Sequence, residues 1–285
     1  MTINSMRMTH IINPVKVTES SDLFVAQPVT FETMRRAKQF AASEVELNLI
    51  TTQYPEDRSI IPDFFTKTRD LDQSILDYGN FKKKRKLPLL KDILERAVEH
   101  DTKADFIIYS NVDIAVQPHF YSFISQKIAE GYDAFVINRR TISDQYTLKT
   151  LLLAYADYGK DHPGYDCFVF KRGCYKNFNL ENICIGAVFV GLALYLNLRL
   201  FSQSFAEIND KHLTFHIGND KIWKNEVNNS FEKFNKDEFQ KLRNNLGREH
   251  SSVYEIVSSA FPSLKKVTTK KETSLKSSLK SFFTK

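Results

Sequence analysis

Short apolar runs separated by amphipathic, helix-period stretches set the pattern of this chain. Residues 106–109, Phe-Ile-Ile-Tyr, predict a strand buried on both faces. Residues 23–26 predict an earlier strand, broken by Gln27 and Pro28. Thr30 then serves as an N-cap, with Glu32 in the first turn of a helix that carries Phe31, Met34, Ala37 and Ala41. Residues 45–51 predict the next strand, so residues 23–51 read as a strand–helix–strand unit preceded by a polar lead-in over 1–21.

Downstream the alternation continues. Pro88 opens a helix whose apolar face is Leu90, Leu94, Ala97 and Val98, and this helix feeds the strand at 106–109. Pro118 opens another, with Phe120, Phe123, Ile124 and Ile128 on one face and Gly131 at its end. Residues 134–137 predict a strand running into Asn138, Arg139 and Arg140, and residues 148–158 predict a helix. Residues 161–166 form a polar turn containing Pro163 and Gly164, ahead of an apolar run at 167–170. The most apolar stretch, 183–196, is shorter than the roughly 20 residues a membrane span needs, and predicts a buried helix. Residues 213–217 predict a short strand carrying His216, and 230–262 two helices. The whole is an α/β pattern: a mostly parallel central sheet flanked by helices, divided as 22–229, 230–263 and a basic tail at 264–285.

Charge changes this picture only at the end. The formal net charge of +6 lies entirely in residues 264–285, which hold seven Lys and one Glu. The rest is neutral, so no nucleic-acid partner is expected. The tail mixes those Lys with Leu275, Leu279, Phe282 and Phe283, a composition that suits an anionic membrane surface or serves as a plain solubilising segment. Three irregularly spaced Cys and no C-x-x-C leave no disulfide framework, and the N-terminus shows no apolar signal region. A cytoplasmic protein, peripheral at a membrane if the tail engages one, is the expectation.

The candidate chemistry gathers where the strand at 106–109 ends. Asn111 and Asp113 lie two residues apart and point the same way in extended chain. Hard oxygen ligands at a sheet's carboxyl edge suit Mg²⁺ or Mn²⁺ with ligand phosphates completing the shell, although Asn and Asp are also ordinary turn formers. The turn at 27–30, with Gln27 and Thr30, faces the same edge in a parallel sheet and has no Gly, which excludes the dinucleotide fingerprint. Lys91 near a helix start, and Arg139 with Arg140 at a strand end, are placed to meet phosphate oxygens or to be surface cations. Asp166 reads as an acid/base or sugar-hydroxyl acceptor, Glu181 as a helix cap or a site residue, and His216 as a structural histidine or a second metal ligand.

This order of elements, with Asn111-Val112-Asp113 after the strand fed by a Lys-bearing helix, resembles the GT-A fold of nucleotide-sugar glycosyltransferases over residues 22–223. Asn-Val-Asp is similar to that family's D-x-D motif, with Asn111 in place of the first Asp. The resemblance implies a divalent cation, Mn²⁺ or Mg²⁺, held by Asp113 and completed by His216. It implies a nucleotide-diphosphate sugar donor contacted by Gln27, Thr30, Lys91, Asn111, Arg139 and Arg140. A glycan or other hydroxyl acceptor would be deprotonated by Asp166 or Glu181, since the usual acidic pair before the last core helix is represented only by Glu181-Asn182. Two other readings stand beside it: a sugar nucleotidyltransferase, which lacks its Gly-rich phosphate loop here, and a non-catalytic nucleotide-binding or scaffold protein.

Overall fold

A computed structural model describes residues 6–218 and 229–260. Among them nine strands form one sheet in a mixed α/β arrangement. The strands, in chain order, are β1 (Arg7–Ile12), β2 (Glu46–Thr51), β3 (Thr66–Lys67), β4 (Phe106–Ser110), β5 (Ala115–Val116), β6 (Ala134–Ile142), β7 (Lys160–Lys171), β8 (Phe205–Ile208) and β9 (Thr214–Ile217). They lie in the order β3-β2-β1-β4-β7-β6-β9-β5, with β8 also on β6. Parallel pairs join β1 to β2 and β4, β2 to β3, and β6 to β8 and β9. The long β7 runs antiparallel to both β4 and β6 and knits the two parallel halves together.

The helices are α1 (Leu23–Phe40), α2 (Leu90–His100), α3 (Phe120–Ala129), α4 (Leu151–Ala156), α5 (Val190–Phe201), α6 (Asn229–Glu249) and α7 (Val253–Ala260). One apolar cluster joins α2, α5, α6 and α7 to one face of the sheet through residues such as Ile93, Ile107, Phe168, Leu194 and Leu242. A second joins α1 and α3 to the other face through Met34, Ile108, Phe120, Phe135 and Val169. Every residue of β4 is buried, as the apolar run predicts.

Several expectations are corrected. The first strand is Arg7–Ile12, inside the stretch read as polar lead-in; Met8, Ile11 and Ile12 are fully buried. Residues 23–26 are the first turn of α1, and Gln27 and Thr30 lie inside that helix, not in a turn before it. Ala26, Val29, Thr30, Thr33, Met34 and Ala37 are all buried at helical spacing, and this packing outweighs the roughly 3 kcal/mol that Pro28 costs in a helix interior. Arg139 and Arg140 sit within β6, which continues to Ile142. Residues 161–166 belong to β7, not to a loop; the register slips opposite the Pro163-Gly164 pair absorb the turn chemistry there. Helix α5 starts at Val190, since Asn235 of α6 takes the Cys184 N–H (3.0 Å) and the Cys184 and Val188 carbonyls (2.8 and 2.9 Å) that a helix would use. Gly186 and Phe189, both at φ 75°, then turn the chain into α5. Trp223 and the basic tail lie outside the described residues.

Candidate active site

The carboxyl end of β4 is where the candidate residues meet. Parallel pairing of β1, β2 and β4 puts their C-terminal ends along one edge. β7 passes β4 with Ser110 opposite Cys167, which sets Asp166 beside Asn111, and the Asn111 N–H donates to the Asp166 carbonyl at 3.2 Å. Asn111 Nδ2 donates to Asp166 Oδ1 at 3.0 Å, and the Tyr109 hydroxyl donates to Asn111 Oδ1 at 3.1 Å. Arg139 reaches the other oxygen, with Nη1 3.3 Å from Asp166 Oδ2. The β6–β7 register slips so that Asp166, and then residues 162–164, are the extra residues on β7 opposite Ile137–Arg140 of β6. Arg139 and Arg140, neighbours on one strand, point to opposite faces, and Arg139 is the one that meets Asp166.

β9 brings in the last member. Parallel pairing sets Thr141 opposite His216, whose Nε2 lies 3.3 Å from Asp113 Oδ2. The ring's Nδ1 faces the Gly218 carbonyl at 3.2 Å. A carbonyl only accepts, so Nδ1 carries a proton, and a protonated ring also donates from Nε2 to the Asp113 carboxylate. This is also the arrangement of a metal-binding histidine, oriented by a backbone carbonyl on its far nitrogen.

Electrostatics divide the two carboxylates. Burial alone raises Asp113, but the hydrogen bond and charge of His216, and then the charge of Arg139, outweigh it and hold its carboxyl below the usual range. Asp166 goes the other way: burial raises it, Arg139 opposes, and the charge of Asp113 adds to the rise. Its Oδ2 is enclosed and accepts no hydrogen bond among the described residues. His162 Nδ1 stands 3.9 Å from that oxygen but accepts the Gly164 N–H at 3.1 Å, so it offers Asp166 no proton.

Asn111, Asp113, Arg139, Asp166 and His216 thus converge from β4, β6, β7 and β9. The other sequence candidates lie apart from this cluster. Gln27 pairs with the backbone of Val15 at 2.9 and 2.8 Å, bracing the connection from β1 to α1. Thr30 is fully buried in α1. Lys91 Nζ donates to Asn182 Oδ1 at 2.8 Å and lies over the Tyr78 ring. Arg140 clamps the start of β7, bonding the Tyr158 and Gly159 carbonyls and Asp161, with its guanidinium 3.6 Å from the Tyr158 ring. Glu181 (φ 47°) accepts from Asn245 of α6 at 2.7 Å. The polar residues 56–58 are likewise engaged: Glu56 with Lys86, Asp57 with the Lys16 N–H, and Arg58 with Asp70. Sequence reasoning missed Tyr109, read only as a core aromatic, and His162, which no strand pattern marks.

No protein-family profile matches this chain, and no curated protein does. Among solved structures, it is similar to Staphylococcus aureus TarS 1-349 in complex with UDP-GlcNAc, at 10% identity and TM-score 0.44, covering 75% of this chain and 59% of that one. The same protein in complex with UDP gives 7% identity and TM-score 0.47, covering 75% and 61%. A putative nucleotide-diphospho-sugar transferase from Desulfovibrio desulfuricans G20 gives 10% identity and TM-score 0.40, covering 81% and 98%. The chain spans about three fifths of the length of TarS 1-349.

Proposed function

We propose that this chain is a glycosyltransferase that moves a sugar from a nucleotide-diphosphate donor to an acceptor hydroxyl. The observation that carries the proposal is the pairing, at one sheet edge, of an ionised Asp113 facing His216 with a proton-accepting Asp166. Two carboxylates whose environments push them apart divide naturally into an electrostatic role and a base role.

Among the described residues no group of three or more His, Cys, Asp or Glu forms a metal cage. Asp113 and His216 nevertheless fit a two-ligand site for Mg²⁺ or Mn²⁺, which completes its shell from phosphate oxygens. When bound, the cation would neutralise charge on the leaving diphosphate. Arg139 stands beside this position and adds a fixed positive charge where that charge develops. Asp166 Oδ2 accepts the acceptor's hydroxyl proton, and its raised basicity serves that step. Asn111 holds Asp166 through Oδ1, and Arg139 stands 3.3 Å from Oδ2. A cytoplasmic location is part of the proposal; among the described residues no helix is long and apolar enough to cross a membrane.

Thermal-shift measurements with UDP, GDP, CDP and dTDP, each with and without Mn²⁺, test the reading. A ligand at 100 times its Kd adds about 2.7 kcal/mol of stability. A shift that needs the cation, appears with one nucleotide and is lost in Asp113→Ala supports the proposal. Absence of a shift with every nucleotide removes it.

A further inference from the structure

β7 brings His162 back onto Asp166. Four residues of regular strand span about 13 Å, more than these two side chains bridge. Yet His162 Nδ1 lies 3.9 Å from Asp166 Oδ2. Residues 162–164 are extra to the register with β6, and the strand shortens through them. Gly164 leaves room for the ring: a Cβ there would stand 3.0 Å from its Cε1 and 3.3 Å from its Nδ1. The Gly164 N–H donates to Nδ1 at 3.1 Å, which puts the neutral ring's own proton on Nε2.

A base that keeps its proton serves once, so Asp166 needs a way to lose it. Its Oδ1 holds the Asn111 amide and its Oδ2 is enclosed. Four charged groups act on it: Arg139, Asp113, His162 and His216. A guanidinium has no lone pair to take a proton. Asp113 is held below the usual carboxylate range, so it releases a proton more readily than Asp166 does. Both ring nitrogens of His216 are committed, to Asp113 and to the Gly218 carbonyl. His162 has a lone pair on its near nitrogen and a side chain 28% exposed, against 17% for Asp166 and 10% for His216.

We infer that His162 carries the proton from Asp166 to water, an inference that rests on the base role proposed for Asp166. In the transfer the acceptor oxygen bonds the sugar carbon and its proton goes to Asp166. The bond from that carbon to the diphosphate breaks, and its electron pair leaves on the phosphate oxygen. Asp166 then gives the proton to the Nδ1 lone pair of His162, which releases the Gly164 N–H. The imidazolium loses its Nε2 proton to water, and exchange with water restores the Nε2–H ring beside an ionised base. One proton leaves for each sugar moved. From the 3.9 Å seen, the two atoms need to approach by about 1 Å to reach hydrogen-bond length. His162 thus acts through Asp166.

The experiment uses two variants of the full chain. His162→Gln keeps an acceptor for the Gly164 N–H but cannot carry a proton, and His162→Ala opens space for a small buffer. Without nucleotide, the protonation midpoint of Asp166 is read from its carboxyl infrared band, identified by its loss in Asp166→Asn. The charge of His162 lowers that midpoint, so His162→Gln is expected to raise it. Turnover is then measured on the nucleotide sugar whose diphosphate raises the melting temperature, with water as the hydroxyl. Both variants are expected to lower kcat about tenfold or more, with KM near the parent's. Added imidazole restores kcat in His162→Ala in proportion to its concentration, and does not restore it in Asp166→Asn. An unmoved midpoint, an unchanged kcat or a loss that imidazole does not restore overturns the inference. Both variants keep the nucleotide-induced thermal shift. A parent without that shift removes the proposed function and the relay with it, whereas a parent with the shift and an unmoved midpoint removes the relay alone.

Discussion

The side-chain amide of Asn111 donates to the carboxylate of Asp166 at 3.0 Å, and Tyr109 fixes which end of that amide faces it. An aspartate at 111 has no N–H to give and would set a second carboxylate against Asp166. N111D, which places an acid at the first position of the motif, is expected to destabilise the fold by about 1–3 kcal/mol at pH 7. The deficit shrinks toward pH 4 as one of the carboxyls takes up a proton. Urea denaturation of both proteins at the two pH values checks this, and equal midpoints at pH 7 would sink it.

Asp166 is expected to set the acid limb of activity. Burial and the charge of Asp113 raise its carboxyl, against Arg139, and the base works only when ionised. Activity therefore falls as pH drops through a value above the ordinary carboxylate range near 4. Asp166→Asn is expected to lower kcat by about 10²–10⁴-fold while leaving the nucleotide-induced thermal shift in place. A variant with full turnover would transfer the base role to another group.

Adjacent arginines on one strand have opposite assignments, and this separates them experimentally. Arg139 faces Asp166, while Arg140 holds Tyr158, Gly159 and Asp161. Arg140→Ala is expected to cost about 1–3 kcal/mol in stability and to leave nucleotide affinity near that of the parent. Arg139→Ala is expected to weaken binding of the diphosphate and to lower kcat. Denaturation and nucleotide titration on the two variants decide it; the reverse pattern would exchange their roles.

The same pair shows what the sequence makes legible. The apolar run of β4 and the polar triplet after it are local signals, so the strand and the Asn111–Asp113 segment were readable. His216 was readable as the one histidine on a short apolar strand. That Arg139 and Arg140 face opposite ways follows from strand alternation, but which of them meets Asp166 depends on the β6–β7 pairing and its extra β7 residues, which no single strand encodes. Gln27 and Thr30 were misplaced for a related reason: Pro28 reads as a break, whereas the buried face of α1 is settled by packing on β5 and on the second core cluster. Likewise β1 alternates too few polar residues over too short a run to stand out, and it is its place between β2 and β4 that makes it a strand.

His10, in β1, gives the acid response of the fold. It is fully buried, with Nδ1 2.9 Å from the Tyr121 hydroxyl and Nε2 2.9 Å from the Ser110 hydroxyl, and among the described residues no carboxylate is bonded to it. Burial holds its pKa down to about 3, against 6.5 for an ordinary histidine. The unfolded chain therefore takes up the proton first. Its contribution to stability is complete above pH 6.5 and is lost progressively as pH falls from there toward 3. By pH 4 this amounts to about 3 kcal/mol. His10→Gln removes the titrating ring, so the variant starts less stable at pH 7 but loses stability less steeply on acidification. Unfolding free energies measured from pH 7 to pH 4 on both proteins give the comparison. If the two curves run parallel, the acid sensitivity belongs to the carboxylates and not to His10.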